Sequence, residues 1–352
     1  MKHIFSVWGH LTFYIAKRII ELDQLNPDDC IFVLARDYKI MEKYQKQFKN
    51  QIHIRYRVEG ENQFSNRIFA GANFIATHRN IAHFDSLIDS YTKGDTYIYY
   101  SANLGNDYGN LLVSNKHCQG YFVTEDGMGS YRDFNPEVFP GILQKLTYRI
   151  LRTLYPRLYR YKHHFIVTDS PKFRGCIASQ PQCFPLHQQY LRVIGLPFEH
   201  VDLGFTPDCI LSIDPMHLYC DWEAVTKIYS QIATIFKKKN YKTIAYKFHP
   251  TFDAEANKEI KRVFNKIIHD CFADELVELG SHVVLENIFM SYKCDFYSNN
   301  SAVGIYAHGM GATCYTIYPI IKKFVPSIGM EISSLVSQYY VNIPVDNTND
   351  NE

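Results

Sequence analysis

Short β-type runs alternate with helix-type segments in two successive series along the chain. In the first series the predicted strands are residues 4–7, 30–35, 52–56, 96–100 and 120–124, and the predicted helices are residues 11–22, 38–48, 66–91 and 108–115. Alternation of this kind is typical of βαβ units, in which the strands lie parallel and helices cover the sheet. The chain is therefore predicted to belong to the α/β class.

The second series begins after Pro207. Its predicted strands are residues 209–213, 243–248, 282–285, 294–297 and 312–318, and its predicted helices are residues 222–238, residues 254–268 and a segment that begins at Ala302. Glycines and prolines in the segment 195–207 predict a hinge, because these residues end regular elements. We expect a first domain at 1–200, with an irregular connection at 171–187. A second domain at 205–341 and a polar tail at 342–352 complete the predicted organisation.

Composition excludes several classes of function. The 352 residues are enough for two domains that each have a core. Lysine and arginine total 37 against 36 aspartate and glutamate, so the overall charge gives no support for a nucleic-acid partner. No apolar run reaches the length of a membrane span, and the 9 cysteines include no Cys-x-x-Cys pair. A soluble protein of the reducing cytoplasm is expected.

The stretch 145–162 interleaves basic residues with leucines and tyrosines. Basic and aromatic residues together suit an anionic lipid surface, which would make the protein peripheral at the inner membrane. The other interpretation is a solvated helix face whose opposite side lies in the core, with a break at Pro156. The sequence leaves both interpretations open.

An acidic pair and a glycine, Glu125, Asp126 and Gly127, follow the predicted strand 120–124. A carboxylate at a strand end can act as a general base when it lies within hydrogen-bond reach of a substrate hydroxyl. Glycine lets the backbone turn sharply beside a ligand. The structural alternative is a simple turn, since Asp-Gly is a common turn pair.

A second motif, His249-Pro250, follows the predicted strand 243–248. Histidine titrates near neutral pH and can donate a hydrogen bond or a proton to a phosphate oxygen. Lys247 lies two positions earlier on the same strand face, where it either adds positive potential or is an ordinary surface cation. For His249 itself, a purely structural role is the alternative.

The small polar residues Asn299, Asn300 and Ser301 precede a predicted helix. Hydroxyl groups, amide groups and backbone N–H groups at a helix start bind phosphate. The same residue types form ordinary N-caps, and the two roles are compatible. Glu286 stands at the head of another predicted helix, where a carboxylate either accepts hydrogen bonds from a vicinal diol or complements the helix dipole.

Taken in order, the acidic-acidic-Gly motif, the His-Pro motif and the later serine resemble the bacterial sialyltransferases of glycosyltransferase families 38, 52 and 80, family 52 in particular. Those families show two adjacent hydroxyl residues where this chain has Asn300 and Ser301. The resemblance extends more weakly to residues 2–20 and 283–288. It implies a GT-B architecture, in which two Rossmann-like domains face each other across a cleft.

The resemblance implies an inverting transfer of sialic acid, or a related nonulosonic acid, from its CMP conjugate to a cell-surface glycan of the capsule or lipooligosaccharide. It makes Glu125 the catalytic base. It makes His249, with Pro250 beside it, the partner of the leaving phosphate. Asn300 and Ser301 then bind the phosphate. The ribose contact implied by the resemblance is Glu286.

Four further residues are given supporting roles: Asp126, Gly127, Lys247 and His10. No metal ion and no other cofactor is expected, because the CMP-sugar is a co-substrate and the sequence lacks an Asp-x-Asp element. Two alternatives remain, a GT-B enzyme that uses another nucleotide sugar and a catalytically inert nucleotide- or glycan-binding protein of the same fold. The sequence determines neither the acceptor and linkage nor the oligomeric state.

Overall fold

The structure is a computed structural model that describes residues 1–35, 38–55, 64–65, 68–70, 73–132, 142–161, 167–253, 257–272, 276–299, 301–328 and 334–343. The chain divides into two compact units, Met1–Pro197 and Phe198–Glu352. This boundary lies inside the segment 195–207, where the sequence predicts a hinge. Asn300 and most of the predicted tail lie outside the described residues.

The first unit is built on a parallel sheet. Its described strands are β1 (Lys2–Val7), β2 (Cys30–Leu34), β3 (Gln51–Arg55), β4 (Phe64–Ser65), β5 (Tyr97–Ser101), β6 (Cys118–Thr124), β7 (Phe173–Ala178) and β8 (Leu191–Val193). They are ordered β4-β3-β2-β1-β5-β6-β7-β8, and each described pair is parallel. Every residue of β2 is buried, as expected for a central strand covered on both faces.

Helices and aromatic side chains cover this sheet. The described helices are α1 (His10–Leu22), α2 (Glu42–Gln45), α3 (Phe74–Thr92), α4 (Asp107–Ser114), α5 (Ile142–Leu154) and α6 (Pro156–Tyr159), with short 3-10 helices at Pro27–Asp29, Met128–Tyr131 and Pro185–Tyr190. Stacked rings of Phe5 and Tyr100, 4.4 Å apart between centroids, lie in the core beneath α1. The Tyr100 ring also stacks on Phe122 of β6 at 5.4 Å, so this packing reaches the strand that precedes the acidic motif.

The second unit repeats the arrangement. Its described strands are β9 (Cys209–Ile213), β10 (Ile244–Phe248), β11 (Leu276–Glu278), β12 (Asp295–Ser298), β13 (Cys314–Thr316) and β14 (Val341–Asn342). Its described helices are α7 (Trp222–Lys238), α8 (Lys258–Cys271), α9 (Leu285–Ser291), α10 (Val303–Gly309), α11 (Tyr318–Phe324) and α12 (Ser334–Ser337), with 3-10 helices at Met216–Leu218 and Pro250–Asp253. Ile228, Ile232 and Phe236 recur every four residues along α7 and are buried in the core.

Strand order places a topological switch point in each unit. In the second unit the order is β11-β10-β9-β12-β13-β14, so the chain reverses its direction of travel across the sheet between β9 and β12. In the first unit the reversal lies between β1 and β5. Doubly wound sheets bind ligands at the carboxyl ends of strands next to such a point.

Two predicted elements differ in type from the structure. The segment 171–187, predicted to be an irregular connection, contains β7, which pairs in parallel with β6. Arg174 and Gly175 interrupt its apolar run, so only the pairing partner shows that it is a strand. Residues 282–285, predicted to be a strand, form the end of the loop that enters α9 and the first residue of that helix, and the strand of this region is β11.

Candidate functional site

Glu125 follows β6 directly and is fully buried. Its Oε1 atom accepts a hydrogen bond from the Tyr131 hydroxyl at 2.7 Å. Its Oε2 atom accepts hydrogen bonds from the Ser179 N–H at 2.8 Å and the Ser179 hydroxyl at 2.6 Å. Burial, together with the negative charge of Glu125, raises the pKa of the Cys183 thiol beside it. The hydrogen bonds of Glu125 therefore connect the end of β6 to the end of β7 and to the 3-10 helix Met128–Tyr131.

Asp126, the next residue, keeps partial solvent exposure. Its Oδ1 atom accepts a hydrogen bond from the Trp8 indole Nε1–H at 2.6 Å, and its own N–H donates to the Ser130 hydroxyl at 2.9 Å. Trp8 follows β1, so this contact spans β5, which lies between β1 and β6. Asp126 is therefore the more accessible of the two carboxylates, and it is held at the switch point of the first unit.

The backbone at Gly127 explains why glycine follows the acidic pair. Its φ of 94° and ψ of −141° lie in a region that L-amino acids with side chains rarely adopt. Its carbonyl accepts the Ser130 N–H at 2.9 Å, which closes the 3-10 turn. The turn returns Tyr131 to the buried carboxylate of Glu125. Substitution of this glycine would strain the connection that positions both acids.

His10, the remaining predicted residue of this unit, opens α1. Its Nδ1 atom lies 3.3 Å from the Tyr38 hydroxyl, and its ring packs edge-on against the Tyr38 ring at 5.4 Å. The structure thus brings Trp8 to the acidic motif and pairs His10 with Tyr38. No role for Trp8 was predicted from the sequence. Trp8 nevertheless follows a strand directly, as Glu125 and His249 do.

In the second unit, His249 follows β10 and is exposed. Its N–H donates to the Ile213 carbonyl at 2.9 Å, which extends the ladder between β10 and β9 by one step. Its Nδ1 atom accepts the Thr251 N–H at 3.2 Å and lies 2.7 Å from the Thr251 hydroxyl. With Nδ1 as an acceptor, the neutral ring carries its proton on Nε2. His249 is therefore held in the tautomer that donates through Nε2, with Pro250 opening the 3-10 helix behind it.

Ser301 follows β12 and is partly exposed. Its N–H donates to the Ser298 hydroxyl at 3.2 Å, and its own hydroxyl oxygen accepts the Val303 N–H at 3.3 Å. The Tyr340 hydroxyl donates to the Ser301 carbonyl at 2.5 Å. The Ser301 hydroxyl oxygen thus accepts the N–H of the first residue of α10, whose N-cap position is Ala302, and the proton of the hydroxyl is not used in that contact. Asn300 lies outside the described residues.

Lys247 and Glu286 are connected through one loop. Lys247 is buried, and its Nζ donates to the carbonyls of Gly280 at 3.4 Å, Ser281 at 3.1 Å and Val283. This loop leads into α9, whose first turn contains the buried Glu286. Lys247 is therefore not a surface cation. It fixes the loop that precedes Glu286.

Asp214, which no sequence motif singled out, directly follows β9 at the switch point of the second unit. Its carboxylate accepts a hydrogen bond from the Asn299 N–H, at the end of the neighbouring strand β12. Burial raises the pKa of this carboxyl to about 7, and the Asn299 hydrogen bond opposes that shift. His249 lies beside Asp214, because Phe248 pairs with Ile213 and these two residues come next along β10 and β9. An acid followed by a proline after an apolar strand is the same signal that identified His249-Pro250.

We predict that Asp214→Asn changes how stability depends on pH. The folded protein keeps a proton on Asp214 up to about pH 7, whereas the unfolded chain loses it near pH 4, so the stability of the wild-type protein falls as the pH rises through that window. The amide has no such titration and can still accept the Asn299 N–H. At pH 8 the variant should be more stable by about 2–4 kcal/mol, and at pH 4 the two should be equal. Urea unfolding of both proteins at both pH values measures this. The same difference in unfolding free energy at pH 4 and at pH 8 would contradict the prediction.

His249, Asp214, Asn299 and Ser301 thus lie at the carboxyl ends of three adjacent strands, ordered β10-β9-β12. The acidic motif occupies the corresponding edge in the first unit, at the end of β6. Among the residues that the structure describes, no group of three or more histidine, cysteine, aspartate or glutamate side chains is arranged to hold a metal ion. The absence of a metal requirement remains a prediction for experiment.

No protein-family model matches the chain. No curated protein matches it either. Solved structures do match. A protein of Listeria monocytogenes assigned as a UDP-N-acetylglucosamine 2-epimerase aligns with a TM-score of 0.51 and 12% identity, over 90% of this chain and 79% of its own.

Two further solved structures also align with this chain. MnaA of S. aureus with UDP aligns with a TM-score of 0.50 and 14% identity, over 90% of this chain and 79% of its own. A sialyltransferase of Photobacterium damsela aligns with a TM-score of 0.42 and 12% identity, over 90% of this chain and 74% of its own. Likeness at such low identity extends to the fold alone. The two doubly wound parallel units and their match to the first two structures confirm the predicted α/β class, and the chain has a GT-B fold.

Proposed function

We propose that this protein is an inverting glycosyltransferase that moves sialic acid, or a related nonulosonic acid, from its CMP conjugate to a cell-surface glycan acceptor of the capsule or lipooligosaccharide. One observation carries the proposal. The acidic pair, the His-Pro pair and Ser301 each follow a central parallel strand of a nucleotide-sugar-type fold, at the edge where doubly wound sheets do their chemistry.

The leaving nucleotide is assigned to the second unit. His249 holds its Nδ1 on Thr251 and donates through Nε2, which is the arrangement needed to stabilise charge on a departing phosphate. The hydroxyl proton of Ser301 supplies a second donor, with Asn300 beside it in sequence. Glu286 is proposed to accept hydrogen bonds from the ribose hydroxyls, and Lys247 to hold the loop that orients it.

The general base is assigned to the acidic pair of the first unit. The sequence resemblance assigns this role to Glu125, and that assignment remains a prediction. Full burial and three hydrogen bonds to its carboxylate favour a positioning role for Glu125 instead. We therefore propose Asp126 as the base, because it is the more exposed carboxylate and the Trp8 indole fixes its orientation.

The proposal places the reaction in the cytoplasm. All nine cysteines are free thiols, which suits a reducing compartment. The CMP-sugar and a glycan are the proposed partners, with no nucleic acid. A GT-B enzyme for another nucleotide sugar, or an inert binding protein of this fold, are outcomes that the following experiment distinguishes.

A donor panel tests the function. The full chain is incubated with CMP-sialic acid, UDP-N-acetylglucosamine or a GDP-sugar, each with and without a simple galactoside, and nucleotide release is measured. CMP release that depends on the galactoside is the expected result. Release of UDP or GDP instead, or epimerisation of UDP-N-acetylglucosamine, would replace the proposed donor. Binding of CMP without turnover of any donor would indicate an inert protein.

Transfer should also persist in excess chelator. Phosphate charge is met in this proposal by His249, Ser301 and backbone N–H groups rather than by a divalent cation. Initial rates with and without EDTA measure this directly. A rate that collapses with EDTA and returns with Mg²⁺ or Mn²⁺ would contradict the assigned roles of both residues.

A further inference from the structure

Helix α5 presents an uncovered apolar face. In the described segment 142–154 no side chain is buried. Five apolar residues on one side of the helix are exposed: Ile142 by 88%, Leu143 by 76%, Leu146 by 53%, Ile150 by 52% and Leu154 by 46%. At 3.6 residues per turn these five fall within about one third of the circumference. For residues 145–154 this exposure contradicts the interpretation in which the apolar side of the 145–162 stretch lies in the core. Beyond the break at Pro156, Leu158 and Tyr159 are buried, as that interpretation predicts.

The opposite side of α5 faces the protein. Tyr148 and Leu151 are only partly exposed, and the Tyr148 hydroxyl donates to the Tyr159 carbonyl in α6 at 2.7 Å. α6 is anchored in turn, because Leu158 is buried and Arg157 pairs with Asp85 at 2.5 Å. The helix is therefore attached along one side, and its apolar face points away from the unit that carries it.

Basic residues line one border of that apolar face. Lys145, Arg149 and Arg152 are all exposed and follow one another at helical spacing beside Ile142 and its neighbours. The segment 142–154 contains no acidic residue. A partner that covers this face must accept apolar side chains and three positive charges together.

The start of α3 continues the apolar surface. Phe74 and Ile75 are exposed by 50% and 71%. The Phe74 ring lies 5.6 Å from the ring of Tyr155, the residue that follows α5. Tyr155 itself is buried, so the exposed start of α3 lies next to the end of α5 at this surface.

We propose that this patch, α5 with the first turn of α3, binds the surface of an anionic phospholipid bilayer. Apolar side chains enter the acyl boundary, and the basic border meets the phosphate groups. No described helix is long and apolar enough to cross a membrane, so the contact is interfacial. The inference does not depend on the donor or the chemistry proposed above, and lipid binding is measured without either substrate.

Vesicle sedimentation tests the proposal. The full chain is mixed with vesicles of phosphatidylcholine alone, or of phosphatidylcholine and phosphatidylglycerol at about 2:1. We expect much stronger binding to the vesicles that contain phosphatidylglycerol, and we expect NaCl to weaken that binding. Lys145→Gln/Arg149→Gln/Arg152→Gln should lower the affinity for anionic vesicles by roughly 100-fold. Leu143→Ser/Leu146→Ser/Ile150→Ser should abolish binding, and these exposed positions leave folding intact.

Matched controls alter exposed residues elsewhere. Lys237→Gln/Lys238→Gln/Lys322→Gln removes the same charge from the second unit, and Leu186→Ser/Leu218→Ser removes exposed apolar side chains. Both should bind vesicles like the wild-type protein. Equal binding by the α5 variants and these controls would overturn the proposal. The wild-type protein could instead form a dimer without lipid and fail to bind vesicles. If that dimer disappears in the Leu143→Ser/Leu146→Ser/Ile150→Ser variant, the occupant of the patch is a second copy of the chain.

Discussion

Asp126→Asn is expected to lower the rate of sugar transfer by roughly 10²–10⁴-fold, the usual contribution of a general base. The amide cannot take the acceptor proton, yet its oxygen can still accept the Trp8 indole N–H, so the loop should keep its conformation. CMP affinity should be nearly unchanged, because the proposed nucleotide site lies in the second unit. Initial rates with CMP-sialic acid and a galactoside, together with calorimetry of CMP binding, measure both quantities.

Glu125→Gln is the matched control. Glutamine keeps one acceptor oxygen but places an NH₂ group against donors that now bond to the carboxylate, the Ser179 N–H and hydroxyl or the Tyr131 hydroxyl. A buried mismatch of this kind costs about 1–3 kcal/mol of folding stability. We expect a lower unfolding midpoint, with activity retained by the folded fraction. A Glu125→Gln protein of normal stability that cannot turn over, beside an active Asp126→Asn protein, would return the base to Glu125.

His249→Ala should lower turnover by roughly 10²-fold or more, the scale of one general acid or preorganised donor. The side chain is exposed, so the unfolding temperature should not change. A donor with a better leaving group needs less stabilisation, and the defect should therefore shrink with such a donor. It should stay constant when only the acceptor is varied. Rates across both series, on protein whose melting temperature is known, test this.

His269→Ala provides the comparison, since His269 is an exposed histidine of the same unit and lies on α8. It should match the wild-type protein in rate and stability. Thr251→Val removes the hydroxyl next to Nδ1 but keeps the N–H that donates to it, so a small loss of rate is expected. An active and stable His249→Ala protein would remove His249 from the mechanism. A loss of melting temperature with an equal defect for every donor would make it a structural residue.

Local patterns were sufficient to predict several elements of the second unit, including the strands that precede its polar residues. The strand Cys209–Ile213 and the helix Trp222–Lys238 were predicted with the bounds that the structure has. β10 was predicted one residue longer and still ends at Phe248, so His249 was correctly placed at a strand end. These predictions succeed because apolar periodicity and helix start signals act over neighbouring residues.

Contacts between distant residues decided the rest. The roles of the adjacent acids Glu125 and Asp126 depend on Ser179, 54 positions from Glu125, and on Trp8, 118 positions from Asp126. The sequence alone identified the order of the motifs, the α/β class and the strand ends that carry polar residues. Only the tertiary structure decided which carboxylate is buried and which face of α5 stays uncovered. Burial depends on what packs against a side chain, and the packing partners are brought together by the fold rather than by their spacing along the chain.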